Sequence, residues 1–305
     1  MLRRSVLLQK FVILTAGLVG MVACLSLASP LMAAEPADDA PGSQWIRILR
    51  DDQGGPLALQ TVVVRYESRD ADRRSLSVDL IGAVHVADRA YYDQLNRDFE
   101  QYDALLYELV APEGTVVTKE DVESNDHPVR SMQNGMKSIL ELDHQLEGID
   151  YTRDNFVHAD MSPTEFAKAM EDRDESFMQL FFRMMGQGIA QQSKLQAEGR
   201  SSEFDMLSAF FSENRALSLK RVMADQFENM DSMIVGLGGP NGTTLISGRN
   251  QVALDVLQEQ LEDGKKKIGI FYGAGHLSDM DKRLRERFHL EPVSARWLTA
   301  WDLDE

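Results

Sequence analysis

Apolar positions along this chain change their period several times, and each change predicts an element. LQTVVVRYES (59–68) and RSLSVDLIGAV (74–84) are rich in β-branched and apolar residues and flank the charged stretch Arg69 to Arg74, so two strands joined as a hairpin are expected. From Ala87 to Tyr102 the period lengthens. Tyr91, Tyr92, Leu95, Phe99 and Tyr102 share one helical face, and Asp88 stands where an N-cap would. ALLYELV (104–110) is again of strand length, closed by Pro112 and Gly114. A strand, helix, strand unit of this kind predicts a right-handed crossover between parallel strands.

From about 130 to 235 the pattern becomes helical, and nine of the fifteen methionines lie between Met161 and Met233. SPTE (162–165) reads as a capping box with Pro163 at the first helical position, which gives Glu165 a helix-capping duty rather than a chemical one. SFMQLFFRMMGQGIA (176–190) reads as a helix serving either as the core of the insert or as a pliable surface for apolar peptide or lipid.

After GLGGPNGTT the α/β pattern returns. A helix from about Gly248 to Glu262 leads to IGIFY (268–272), whose unbroken apolar run suits a central parallel strand. A further capped helix is expected from Ser278, with Asp281 three residues on, and VSARWLTAWDL (293–303) closes the sheet at an edge. The expected fold is therefore α/β: a mostly parallel central sheet flanked by helices, with a hairpin near the start and a large helical, Met-rich insertion.

The first 34 residues read as an export segment. Arg3, Arg4 and Lys10 precede an apolar run from Phe11 to Leu27, followed by Ala33 and Ala34. MVAC (21–24) approximates a lipoprotein processing box around Cys24, the chain's one cysteine, and an uncleaved membrane anchor is the third reading. Residues 35–57, rich in Pro, Gly and Asp, read as a linker, leaving 58–305 as the folded domain outside the cytoplasm. Beyond residue 24 there is no thiol for a disulfide or a thiolate metal site. The formal net charge of −17 would become −20 without the first 34 residues, which carry three basic and no acidic side chains. Such a surface repels nucleic acid and anionic lipid and favours cationic ligands or metals.

Candidate chemistry lies in a repeated context. Gly82-Ala-Val-His85 and Gly273-Ala-Gly-His276 each follow an apolar strand and precede a helix, the edge at which parallel sheets bind ligands. In this reading the glycine of each motif permits a tight turn, and the helix dipole favours a neutral imidazole able to bind metal or accept a proton. Glu108, at the end of LLYE, should reach the same edge through the crossover. Two histidines and a carboxylate suit a divalent metal with open positions; without metal they could act as an acid–base pair. The competing structural readings are satisfied turn histidines and a Glu108 paired with a surface arginine.

Arg249, expected in the first turn of its helix where a positive charge opposes the dipole, is a candidate clamp for a substrate carboxylate or an oxyanion, or a structural ion pair; Asn250 could orient it. His158 and Asp160 precede the SPTE cap and could serve as additional ligands, as substrate contacts or structurally. His127, His144 and His289 are expected at the surface.

LIGAVHVADRAYYDQL (80–95), ALLYELV, the GRN at 248–250 and GIFYGAGHL (269–277) together resemble the TraB/PrgY/GumN group, which includes the Tiki proteases and is distantly similar to the erythromycin esterase and ChaN families. The likeness is carried by these motifs and their order between about residues 60 and 290. It implies an α/β fold with paired Gly-x-x-His motifs at one site and, for Tiki members, a protease dependent on manganese or cobalt. Under it His85 and His276 match the paired histidines, Glu108 the acidic residue after the first crossover and Arg249 the basic residue before the last strand. Some members, including the pheromone-shutdown proteins, are known as regulators. The expected function is an exported metal-dependent hydrolase of peptide or protein substrates, with a membrane tether through the N-terminal segment as one of its readings. The alternatives are a regulatory protein that holds a peptide or metal without turnover, and a metal-free esterase.

Overall fold

The computed structural model describes residues 41–70, 75–112, 114–115, 140–176, 208–225 and 242–304. The leader, Cys24, His127 and nearly all of the methionine-bearing stretch 176–190 lie outside the described residues. In chain order the elements are β1 (Ile46–Arg50), β2 (Pro56–Ser68), β3 (Ser77–Ala83), β4 (Val86–Ala87), α1 (Arg89–Phe99), β5 (Ala104–Tyr107), β6 (Asp143–His144), α2 (Gln145–Gly148), β7 (Phe156–His158) and α3 (Pro163–Asp172). A π turn (Thr244–Gly248) then runs into α4 (Arg249–Glu262), followed by β8 (Lys267–Gly273), α5 (Ala274–Phe288) and β9 (Leu290–Asp302).

Seven of these strands form a mixed sheet in the order β1-β2-β3-β8-β5-β7, with β9 also paired to β2, and β4 and β6 form a separate pair. β3, β8, β5 and β7 run parallel, while β2 is antiparallel to β1, β3 and β9. The expected hairpin, the central buried β8 and the edge position of β9 are all present. β2 runs for 13 residues, pairing with β9 almost end to end and with β1 and β3 in succession on its other side. The α1 face read from the sequence is buried: Tyr91, Tyr92, Leu95 and Phe99. Phe99 packs against Phe271 of β8 with ring centroids 5.0 Å apart, and burying such a ring contributes about 1.5–3 kcal/mol. Successive strand residues point to opposite faces, so Tyr272 turns to the other side, where its ring meets His276 of α5.

Several local expectations need correction. β1 lies inside the stretch read as linker, where a five-residue strand is masked by its Pro, Gly and Asp surroundings. β7 lies inside the stretch read as helical, and three residues are too few to set a period. α5 begins at Ala274 rather than Ser278, because β8 passes into it through Gly273 with no loop between. Asp88 occupies the N-cap position of α1 without capping it; its carboxylate accepts from the Asp302 N–H and from Lys220 Nζ. His144 is buried, not exposed, because residues 143–148 fold back so that β6 pairs with β4. His289 is exposed, at the left-handed C-cap of α5. The SPTE capping box forms as read, Ser162 Oγ accepting from the Glu165 N–H and Glu165 Oε2 from the Ser162 N–H. Among the described residues no helix is long and apolar enough to cross a membrane.

Candidate functional site

Four adjacent parallel strands all end at one edge of this sheet. β3 leads to His85, β8 to Gly273 and His276, β5 to Glu108, and β7 to His158 and Asp160. The crossover through α1 passes over one strand, so β8 sits between β3 and β5 and carries His276 between the positions that follow them. α4 delivers Arg249 and Asn250 to the same place. Because the π turn precedes α4, with the Thr243 hydroxyl accepting from the Ile246 N–H, Arg249 is not in the first turn of the continuous helical run. The expected conflict with the dipole is thereby lessened.

Glu108 is the hub. Its Oε1 accepts from Arg249 Nη2 at 2.7 Å and its Oε2 from the Gly273 N–H at 2.7 Å. A Cβ on Gly273 would stand 3.2 Å from that Oε2, so the bare backbone lets the carboxylate come close. Arg249 also donates from Nε and Nη2 to the two oxygens of the buried Asp160. Asp160 in turn accepts from the Met161 N–H. Arg249 is thus a buried clamp between two carboxylates, the structural ion pair of the sequence reading, held by buried rather than surface partners. Burial disfavours charge on Glu108, but His276, Arg249, the Gly273 N–H and His85 outweigh it and hold the carboxyl down to about 2.

His276 Nε2 stands 3.6 Å from Glu108 Oε1. Burial of the ring pulls its pKa below the ordinary imidazole value, Arg249 adds to this, and Glu108 only partly opposes it. The ring is therefore neutral at neutral pH, and the charge that keeps Glu108 ionised there is that of Arg249. His276 Nδ1 lies 2.6 Å from Asn250 Oδ1. Asn250 consequently orients His276, not Arg249 as the sequence suggested. His85 is exposed, and its Nδ1 lies 3.2 Å from Gln145 Oε1, while the Gln145 N–H donates to the His85 carbonyl. Gln145 Nε2 donates in turn to the Tyr151 hydroxyl, 2.9 Å away. Burial, together with the nearby Glu108 charge, raises the pKa of Tyr151, so the phenol keeps its proton.

The two glycine motifs are not equivalent. Gly82 is inside β3, opposite Tyr272, whereas Gly273 ends β8 opposite Ala83. Gly82 therefore makes no turn; a side chain there would crowd the Val62 carbonyl and Leu277. His158 donates from Nε2 to the Leu109 carbonyl at 2.6 Å and packs on Tyr107, which makes it a brace for the strand end. Gln145, Tyr151, Tyr272 and Asp279 were missed by sequence reasoning. Tyr272 donates to the Ala159 carbonyl, and Asp279 accepts from Asn250 and Arg283. Tyr272 lies within GIFYGAGHL without standing out there, the other three belong to no motif, and only their partners reveal them. Gln145 and Tyr151 reach the site on a segment fixed to α1, where Asn96 Nδ2 donates to the Gly148 carbonyl and Gly148 leaves room for the Tyr92 ring.

The donor chemistry of His276 Nε2 and Glu108 Oε1 fits a divalent ion. Two ligands of a tetrahedral ion at about 2.1 Å stand about 3.4 Å apart, close to the observed 3.6 Å. Among the described residues, however, no group of three or more His, Cys, Asp or Glu stands ready to hold one, so His85 does not complete a triad in this arrangement. No family model, curated protein or solved structure matches this chain.

Proposed function

We propose that the chain is a hydrolase of peptide or protein substrates, of the TraB/GumN type, acting outside the cytoplasm, with His276 and Glu108 as the residues that would hold a divalent metal such as manganese or cobalt and the exposed His85 joining them only on a shift of its ring. The observation that carries this reading is the neutral, buried His276 ring facing an ionised Glu108 where neighbouring parallel strands end. A divalent ion bound there would polarise a carbonyl and ease deprotonation of water.

The chain's own residues have separable duties in this scheme. Glu108 supplies negative charge, and Arg249 keeps that charge in place and directs Oε1 toward His276. His276 offers an imidazole already neutral, with no proton to shed first. Arg249 lies beneath the site, its Nε and Nη2 bonded to Asp160 and Glu108, so developing charge on a substrate falls to a different donor. The Tyr151 phenol, which keeps its proton and is linked through Gln145 to His85, is assigned that duty in this reading.

A metal-free His/Glu acid–base mechanism is the second reading, favoured by the bonds Glu108 already makes to Arg249 and Gly273. Hydrolysis of unstructured peptides with added manganese or cobalt tests both. Activity lost to a chelator and in His276→Ala supports the first; activity that survives the chelator but is lost in His276→Ala supports the second. Equal rates for wild type, His85→Ala and His276→Ala would end both. Tight retention of peptide without product would leave a regulatory binding protein.

A further inference from the structure

The site's two histidines share a feature that the proposed chemistry does not by itself require. Each turns Nδ1 toward the oxygen of a side-chain amide: Asn250 Oδ1 at 2.6 Å from His276, and Gln145 Oε1 at 3.2 Å from His85. For Asn250 the amide orientation is forced by its other partners. Its Nδ2 lies 3.0 Å from the His276 carbonyl and 2.8 Å from an Asp279 carboxylate oxygen, both of which can only accept. The oxygen must therefore face His276, and an amide oxygen can only accept, so Nδ1 carries the proton. Gln145 is arranged in the same sense, with its Nε2 donating to the Tyr151 hydroxyl, although a hydroxyl can also donate and so does not force that amide as the partners of Asn250 do. Asn250 is wholly buried, which denies its amide water as a competing partner.

We propose that Asn250 and Gln145 are positioning residues that hold His276 and His85 in the Nδ1–H tautomer, leaving each Nε2 a bare acceptor, that of His276 facing Glu108 Oε1. The consequence for metal binding rests on the hydrolase reading above; the tautomer does not. An imidazole held through its second nitrogen is fixed in orientation and becomes the better donor through its first, and loss of such a partner typically costs roughly 10–100-fold in metal affinity. A single helix residue thereby ties the carbonyl and the ring of His276 to Asp279 at once.

The test is the long-range proton–nitrogen spectrum of the full-length, metal-free protein labelled with 15N-histidine, the His276 signals being assigned by their disappearance in His276→Ala. The expected result is a protonated Nδ1 and a bare Nε2 for His276 in wild type and a shift toward Nε2–H in Asn250→Leu. His85 should respond in the same way to Gln145→Leu and be restored by Gln145→Glu. Nε2–H on His276 in wild type would overturn the inference whether or not Asn250→Leu folds. An unchanged tautomer in a folded Asn250→Leu would overturn it equally. Manganese or cobalt binding should weaken roughly 10–100-fold in Asn250→Leu. Failure of wild type to bind either ion would count against the metal reading while the tautomer result stands.

Discussion

Replacing Arg249 with methionine tests the electrostatic frame of the site most directly. The arginine side chain is 8 % exposed, Asp160 0 % and Glu108 13 %, so Asp160 cannot be resolvated by surface water without opening the strand ends and Glu108 only in part. Arg249→Met keeps most of the side chain's volume but removes the cation that three charge-assisted hydrogen bonds use. Two carboxylates then remain, one of them fully buried with only the Met161 N–H still donating to it. Removing one partner of a buried ion pair costs about 3–5 kcal/mol, and the sharing of one guanidinium by two acids places the expected loss toward the upper end. Equilibrium denaturation by urea at neutral pH measures it. Adding Asp160→Asn to Arg249→Met should recover at least about 1 kcal/mol, since the buried charge left alone is then gone. A loss below about 1 kcal/mol in the single variant, or no recovery in the double, would refute the clamp as described.

Acid should act through Glu108. Its folded pKa, about 2, lies below the ordinary glutamate value of about 4.3, so its stabilisation is complete above about pH 4.3 and is lost as the pH falls through about 2. Melting temperatures of wild type and Glu108→Gln should therefore converge below pH 4, and a difference that stayed constant from pH 7 to pH 2 would contradict this. At Gly148 a Cβ would lie 2.5 Å from the Tyr92 ring, so Gly148→Ala should cost about 1–3 kcal/mol by overpacking. It should also lower activity by displacing Gln145 and Tyr151; a crystal structure of the variant with the 145–151 segment unmoved would show the packing argument to be mistaken.

The readings that succeeded from sequence were those set by local periodicity. Alternating and continuous apolar runs located β2, β3, β5 and β8, the tyrosine-rich face located α1, and the capping box located the start of α3, because burial of one face repeats with the geometry of the element itself. Short elements escaped. β1 and β7 are five and three residues long, and the passage of β8 straight into α5 left no turn residues to mark the helix start other than Gly273 itself.

Local residue pattern is enough to establish that His85, Glu108 and His276 each follow an apolar strand, since strand length and handedness of crossover leave few alternatives. The order β3-β8-β5-β7 comes from long-range pairing, which sets His276 between the other two and brings Asp160 onto an arginine 89 residues away. Tertiary packing likewise makes Asn250 serve His276 and Gln145 serve His85. The physical reason is that a buried polar side chain is bonded to whichever group strand order and helix placement bring within about 3 Å, and no local pattern of residues encodes that choice.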